Sequence, residues 1–258
     1  LTSLIAVPAF IYIVLYIHPL YFAVFVTVVS VIASWEYFSM VMPAGDYRLK
    51  TIGAILSASL PFCMYFYGIT VFSWLIPFSV FIILAYLLLY HNNISAITGL
   101  AGKGVFGIIY TGLFLSYIIG IKTTEQGGWW LLFLFSIIWS NDTFAYLIGK
   151  GFGNIKLAPQ ISPNKTVEGA FAGIIGGILA AIIFNTMVLK KLDLFSAVLL
   201  AIMIGILSQL GDLFESMLKR GAGVKDSGSI IPGHGGILDR IDSALIPLPF
   251  FYHFLMWS

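Results

Sequence analysis

The sequence is poor in charge. Of its 258 residues only 9% are Asp, Glu, Lys or Arg, whereas a soluble domain carries about 25%. Too few charges remain to cover a water-facing surface, so an ordinary soluble globular fold is excluded. Cysteine is nearly absent as well. The single Cys63 rules out an internal disulfide framework and a Cys-based zinc site, and its neighbours Pro61, Phe62 and Met64 mark it as a packing residue. No internal repeat or low-complexity tract stands out. The formal net charge of +2 says little about partners, and no nucleic-acid partner is expected. The first apolar stretch has no basic segment before it and no small-residue cleavage site after it. It is expected to be a membrane anchor rather than a signal peptide.

What the sequence has in abundance is apolar length, with 60% hydrophobic residues. A transmembrane helix needs about 20 mostly apolar residues. Such stretches occur near 4–18, 20–41, 51–68, 71–90, 104–121, 129–148, 168–189, 194–214 and 239–257. The expected fold is therefore all-α, a polytopic membrane protein of about nine helices, with only His18 and Pro19 separating the first two. The even-numbered loops carry Arg48, Lys50, Lys103, Lys150, Lys156, Lys165, Lys219, Arg220, Lys225 and Arg240; the odd-numbered ones carry Lys122, Lys190 and Lys191. Ten basic residues against three place the even loops in the cytoplasm by the positive-inside rule. A single membrane domain over 1–258 is expected, with 1–100 as helical scaffold and 100–258 holding the chemistry.

Ionisable residues at membrane depth are functional candidates by default. Asp142 lies inside the 129–148 stretch, about 10 Å from its cytoplasmic end at 1.5 Å per residue. It is either a structural carboxylate paired with a lysine or hydroxyl, or part of a site. Asp212 shares a helix face with Ser208 and Glu215 by three- and four-residue spacing, and Glu215 reads as an ordinary charged helix end. Residues 232–243 run Pro-Gly-His-Gly-Gly-Ile-Leu-Asp-Arg-Ile-Asp-Ser. Asp239 and Asp242 are one helical turn apart, so their carboxylates would repel unless a cation neutralised them. Carboxylates without soft ligands suit a hard divalent ion such as magnesium. Gly233, Gly235 and Gly236 let the backbone approach a ligand closely, and backbone donors at a helix start suit phosphate. Ser162-Pro163-Asn164-Lys165-Thr166-Val167-Glu168-Gly169 precedes another helix in the same way. Metal with clustered cations points to phosphoryl or nucleotidyl transfer.

Residues 216–242 resemble the signature of phosphatidate cytidylyltransferases, the CDP-diacylglycerol synthases. The matching residues are Ser216-Met217-Leu218-Lys219-Arg220, Lys225-Asp226, Pro232-Gly233-His234-Gly235-Gly236 and Asp239-Arg240-Ile241-Asp242, with no departure from the pattern. The Ser162–Gly169 segment is similar to the family's second motif, and the helical plan is similar to that of bacterial members. Over residues 1–100 only the architecture is alike.

The resemblance implies that CTP and phosphatidic acid give CDP-diacylglycerol and pyrophosphate, in phospholipid biosynthesis, with Mg2+ as cofactor. It implies metal ligation by Asp212, Asp239 and Asp242, with Asp142 as a further carboxylate. Lys165, Lys219, Arg220 and Lys225 would hold the CTP phosphates, Arg240 and His234 would lie near the phosphatidate headgroup, and Ser162, Asn164 and Thr166 would shape the CTP pocket. Gly235 and Gly236 belong to the binding loop, and Asp212, Lys219, Asp239, Arg240 and Asp242 form the expected catalytic set. The expected location is the inner (plasma) membrane, with the site facing the cytoplasm and the bilayer as a partner. A second, monovalent cation and a homodimer are left open. The competing functions are a CTP-dependent polyprenol or phytol kinase and an ion-coupled transporter, whose acids would lie at mid-membrane.

Overall fold

The computed structural model describes residues 2–43, 45–91, 93–230 and 235–257, with backbone alone for 2–6. The fold is helical throughout, apart from one small hairpin. In order, the elements are α1 (Thr2–Tyr16), α2 (Pro19–Val41), α3 (Tyr47–Tyr67), α4 (Phe72–Tyr90), α5 (Ile94–Gly107), α6 (Phe114–Lys122), α7 (Gly127–Phe152), β1 (Lys156–Ala158), β2 (Ser162–Thr166), α8 (Val167–Phe184), α9 (Leu194–Gly221), α10 (Leu238–Leu245) and α11 (Pro247–Trp257).

Local chemistry sets several boundaries. Pro19 opens α2, where its missing N–H is no loss, and His18 Nδ1 accepts from the Leu20 amide at 3.3 Å. Asp46 caps α3 by accepting from the Leu49 amide at 3.1 Å. It also accepts from Tyr86 at 3.0 Å and lies 2.9 Å from His91 Nε2. Burial pushes the Asp46 carboxyl up, but the bonds from His91, Leu49 and Tyr86 outweigh it and hold it below the usual carboxylate range.

The all-helical membrane fold holds; the count of nine is not confirmed. Among the described residues six helical runs are long and apolar enough to cross a membrane: 19–41, 47–90, 94–122, 127–152, 167–189 and 194–221. α1 is only 15 residues long, and the last expected span breaks into α10 and α11. The 47–90 run contains two expected spans, joined through a tight turn at Gly68–Val71. The expected 104–121 span starts at Ile94 instead, so Lys103 sits within α5 rather than in a loop. Lys122 ends α6 in a buried position.

The chain forms two compact units. The first contains residues 1–16, 124–221 and 242–258. Within it α7 and α8 pack closely because glycine removes the side chains between them. A Cβ on Gly169 would lie 2.7 Å from the Ala145 carbonyl, and one on Gly173 would lie 2.8 Å from the Asn141 carbonyl. The opposite face of α8 carries Phe171, Ile175, Leu179 and Ile183, all exposed. Small residues inside and large apolar residues outside are the pattern of a helix whose solvent is lipid. The second unit contains residues 17–123 and 222–241. There α2 and α3 pack through Gly53, whose missing Cβ leaves room for the Phe38 ring. The chain is thus a multi-pass membrane protein.

Candidate active site

In the first unit, acids from three helices gather around Asp212. The Lys165 ammonium on β2 lies 2.6 Å from the Asp212 carboxylate, with the two side chains 26% and 33% exposed. That exposure leaves the pair accessible to a ligand. Asp142 on α7 is exposed and feels the charges of both Asp212 and Lys165. Asp242 on α10 feels Asp212, Glu215 and Lys219, and its Oδ1 accepts from the Ser243 amide at 2.6 Å. One turn beyond Asp212, Glu215 is fully buried and ion-paired with Lys219. Glu215 is therefore no ordinary helix end: it holds Lys219, itself only 12% exposed, in place.

The hairpin explains how Lys165 comes to be there. Between α7 and α8, β1 pairs antiparallel with β2, Lys156 opposite Thr166 and Ala158 opposite Ser162. Side chains alternate along a strand, so Lys165 projects away from the side taken by Asn164 and Thr166. Thr166 is buried and caps α8, its hydroxyl accepting from the Gly169 amide at 3.2 Å. The Glu168 carboxylate accepts from the amides of Asn154 and Ile155 at 3.1 and 3.2 Å, tying the start of the hairpin to α8. Arg220 Nε donates to the Ile161 carbonyl at 3.4 Å, so α9 steadies the hairpin turn. Ser162 is half-buried and Asn164 exposed on β2. Of this motif Lys165 faces the acids, while Thr166 and Glu168 hold the local structure. Thr166→Ala should cost about 1 kcal/mol, the usual value of an N-cap, and lower the thermal midpoint while leaving turnover per folded molecule near wild type.

The second unit holds the glycine-rich segment. Lys225, Asp226 and Arg240 are exposed; the expected Gly233 and His234 lie outside the described residues. Gly235 has φ +80°, and a Cβ there would meet Asp239 Oδ2 at 2.6 Å. That same oxygen accepts from the Ser227 amide at 3.0 Å, the Ser227 hydroxyl at 2.9 Å and the Gly236 amide at 2.7 Å. Asp239, expected to be a metal ligand, thus has one oxygen committed to folding the loop. Asp239 and Asp242 share α10, yet their partners differ.

One residue of this segment's surroundings escaped the sequence reading. Glu36, inside α2 and 4% exposed, accepts from the Ser227 hydroxyl at 3.1 Å, the Ile237 amide at 3.0 Å and the Leu238 amide at 2.8 Å. It is the only acid in the first 45 residues, and a charge in so apolar a stretch is itself the signal that could have found it. The Ile237 and Leu238 amides at the start of α10 are therefore taken by Glu36, and the Gly236 amide just before them by Asp239.

The acids around Asp212 are suited to a divalent cation. Two of the four carboxylates, Asp212 and Glu215, have lysine partners. Among the described residues no ion pair neutralises Asp142 or Asp242, so the cluster holds excess negative charge on oxygen donors alone. That donor chemistry fits magnesium. No three acidic or imidazole groups among the described residues close on one point.

Apolar helices long enough to cross a membrane carry, in the first unit, lysines paired with carboxylates and, in the second, a glycine segment folded on a carboxylate. The chain belongs to the cytidylyltransferase family, whose model matches residues 1–258. It is 41% identical over 179 residues to a phosphatidate cytidylyltransferase of Bacillus subtilis, covering 69% of this chain and 66% of that protein. A protein of the same name from Staphylococcus epidermidis is 43% identical over 169 residues, 66% of this chain and 64% of the relative. The aligned stretch spans about two thirds of the length of these curated relatives.

Proposed function

We propose that this protein transfers a cytidylyl group from CTP to phosphatidate at the acidic cluster around Asp212. The observation that carries this reading is the Lys165–Asp212 pair. It joins the Ser162–Gly169 motif to the helix that leads into the 216–242 signature, two segments recognised separately in the sequence. The names of the relatives support the same substrates.

A phosphatidate oxygen attacks the α-phosphorus of CTP; the new P–O bond forms as the bond to the β-phosphate oxygen breaks, and pyrophosphate leaves. A phosphate monoester is largely dianionic at neutral pH, with a second pKa of about 6, so no general base is needed. Lys165 and Lys219 enter the site already oriented by Asp212 and Glu215 and meet the phosphates of CTP. Arg220 supplies further positive charge. Asp212 and Asp242, with Asp142 beside them, would hold Mg2+, which when bound would neutralise phosphate charge. The lysines of the hairpin, Lys156 and Lys165, and the basic end of α9, Lys219 and Arg220, support a site on the cytoplasmic face of the plasma membrane, where CTP is dissolved and the lipid headgroup stays at the interface.

The test is direct. Purified protein with phosphatidic acid and CTP should yield CDP-lipid in the presence of magnesium and none after chelation, with recovery on adding the metal back. No product from folded protein under any divalent cation would overturn the proposal.

A further inference from the structure

A carboxylate in the apolar interior of a helix is costly unless it is paired or hydrogen-bonded, and Glu36 is met by no lysine or arginine among the described residues. Its partners are instead three donors from one segment, Ser227, Ile237 and Leu238. The surrounding sequence is cut to fit it. A Cβ on Gly228 would lie 2.6 Å from Glu36 Oε1, and one on Gly236 would collide with Glu36 Oε2 and the Ser227 hydroxyl. The Ser227 hydroxyl lies between two carboxylates, 3.1 Å from Glu36 and 2.9 Å from Asp239. Glu36 thereby fixes both ends of the 227–238 segment and the direction in which α10 sets out. A negative group at a helix start is favoured by the exposed N–H groups and the helix dipole.

We infer that Glu36 is a positioning residue for the transfer reaction, holding the glycine-rich segment and the start of α10 so that Asp239 and Arg240 are presented in productive geometry. This rests on the cytidylyl-transfer proposal. It also assigns the Ile237 and Leu238 amides at the start of α10 to Glu36 rather than to a substrate phosphate, leaving phosphate binding to the basic side chains.

Glu36→Gln is the sharp variant, because it keeps size and removes one acceptor. Whichever way the amide is turned, its NH2 faces an N–H or hydroxyl donor. Turnover should fall about 10- to 100-fold, the usual loss when a partner that orients site groups is removed. The thermal midpoint should stay close to wild type, and the KM for phosphatidate should change little. Hydrogen exchange at the Gly236, Ile237 and Leu238 amides should accelerate. Ser227→Ala is the milder second variant, and its loss should be less than additive with that of Glu36→Gln, since both act through one contact. Full turnover in Glu36→Gln or additive losses would overturn the positioning role. So would a lower thermal midpoint with normal turnover per folded molecule, the mark of a merely structural residue. Accelerated exchange in Glu36→Gln, alongside a wild type that makes no CDP-lipid, would overturn the transferase proposal while confirming the contact.

Discussion

Asp212→Asn should fold and yet be almost inactive, with turnover lowered about 10²- to 10³-fold, the scale of losing one preorganised electrostatic group. Asparagine preserves shape, so the helix packing of α9 is undisturbed. What it loses is the charge that holds Lys165 at 2.6 Å and the central carboxylate between Asp142 and Asp242. The orientation of Lys165 depends on that one group, and on the proposed mechanism the cation would too. Steady-state turnover at saturating CTP and magnesium, beside a thermal melt of the same preparation, checks the expectation. A variant with normal turnover would show that Asp212 only neutralises Lys165 and that the chemistry lies elsewhere.

Gly236→Val should be the most damaging single change in the glycine-rich segment. Even a Cβ at this position would intrude on the Ser227 hydroxyl and the Glu36 carboxylate, and valine adds two methyl groups in a buried space. Overpacking of this kind costs about 1–3 kcal/mol, and here it would also break the carboxylate network that folds the loop. Activity should fall below detection and the thermal midpoint should drop. Gly221→Ala is the matched control: nothing lies within 4 Å of its Cβ position, and activity should be unchanged. Equal behaviour of the two variants would remove the packing explanation.

The membrane class was legible from composition alone, because apolar runs and scarce charge leave few alternatives. The number of crossings was not. Hydropathy does not say where a helix continues through a polar residue, as at Lys103 in α5, or where an apolar run breaks, as between α10 and α11. Asp142 stands out in the sequence because charge at membrane depth is conspicuous, Asp212 because it shares a polar helix face, and Asp242 because it lies one turn from Asp239. The division of labour within each motif was hidden. Thr166 and Lys165 are adjacent in sequence, yet strand alternation sends one into a helix cap and the other to Asp212. Asp239 stands out in sequence as a metal ligand, but its Oδ2 is spent on Ser227 and Gly236, contacts made by a loop whose path no spacing rule gives. Glu36 lies about 200 residues from the amides it binds, and nothing local in the sequence links them.

The most direct measurement follows the two ends of the CTP triphosphate. Purified protein is given phosphatidic acid and CTP labelled with 32P at the α-phosphate in one reaction and the γ-phosphate in another, and lipid is extracted from both. Cytidylyl transfer places the α label in the lipid and leaves the γ label in released pyrophosphate. Label from the γ position in the lipid, with none from the α position, would make the enzyme a kinase and contradict the account.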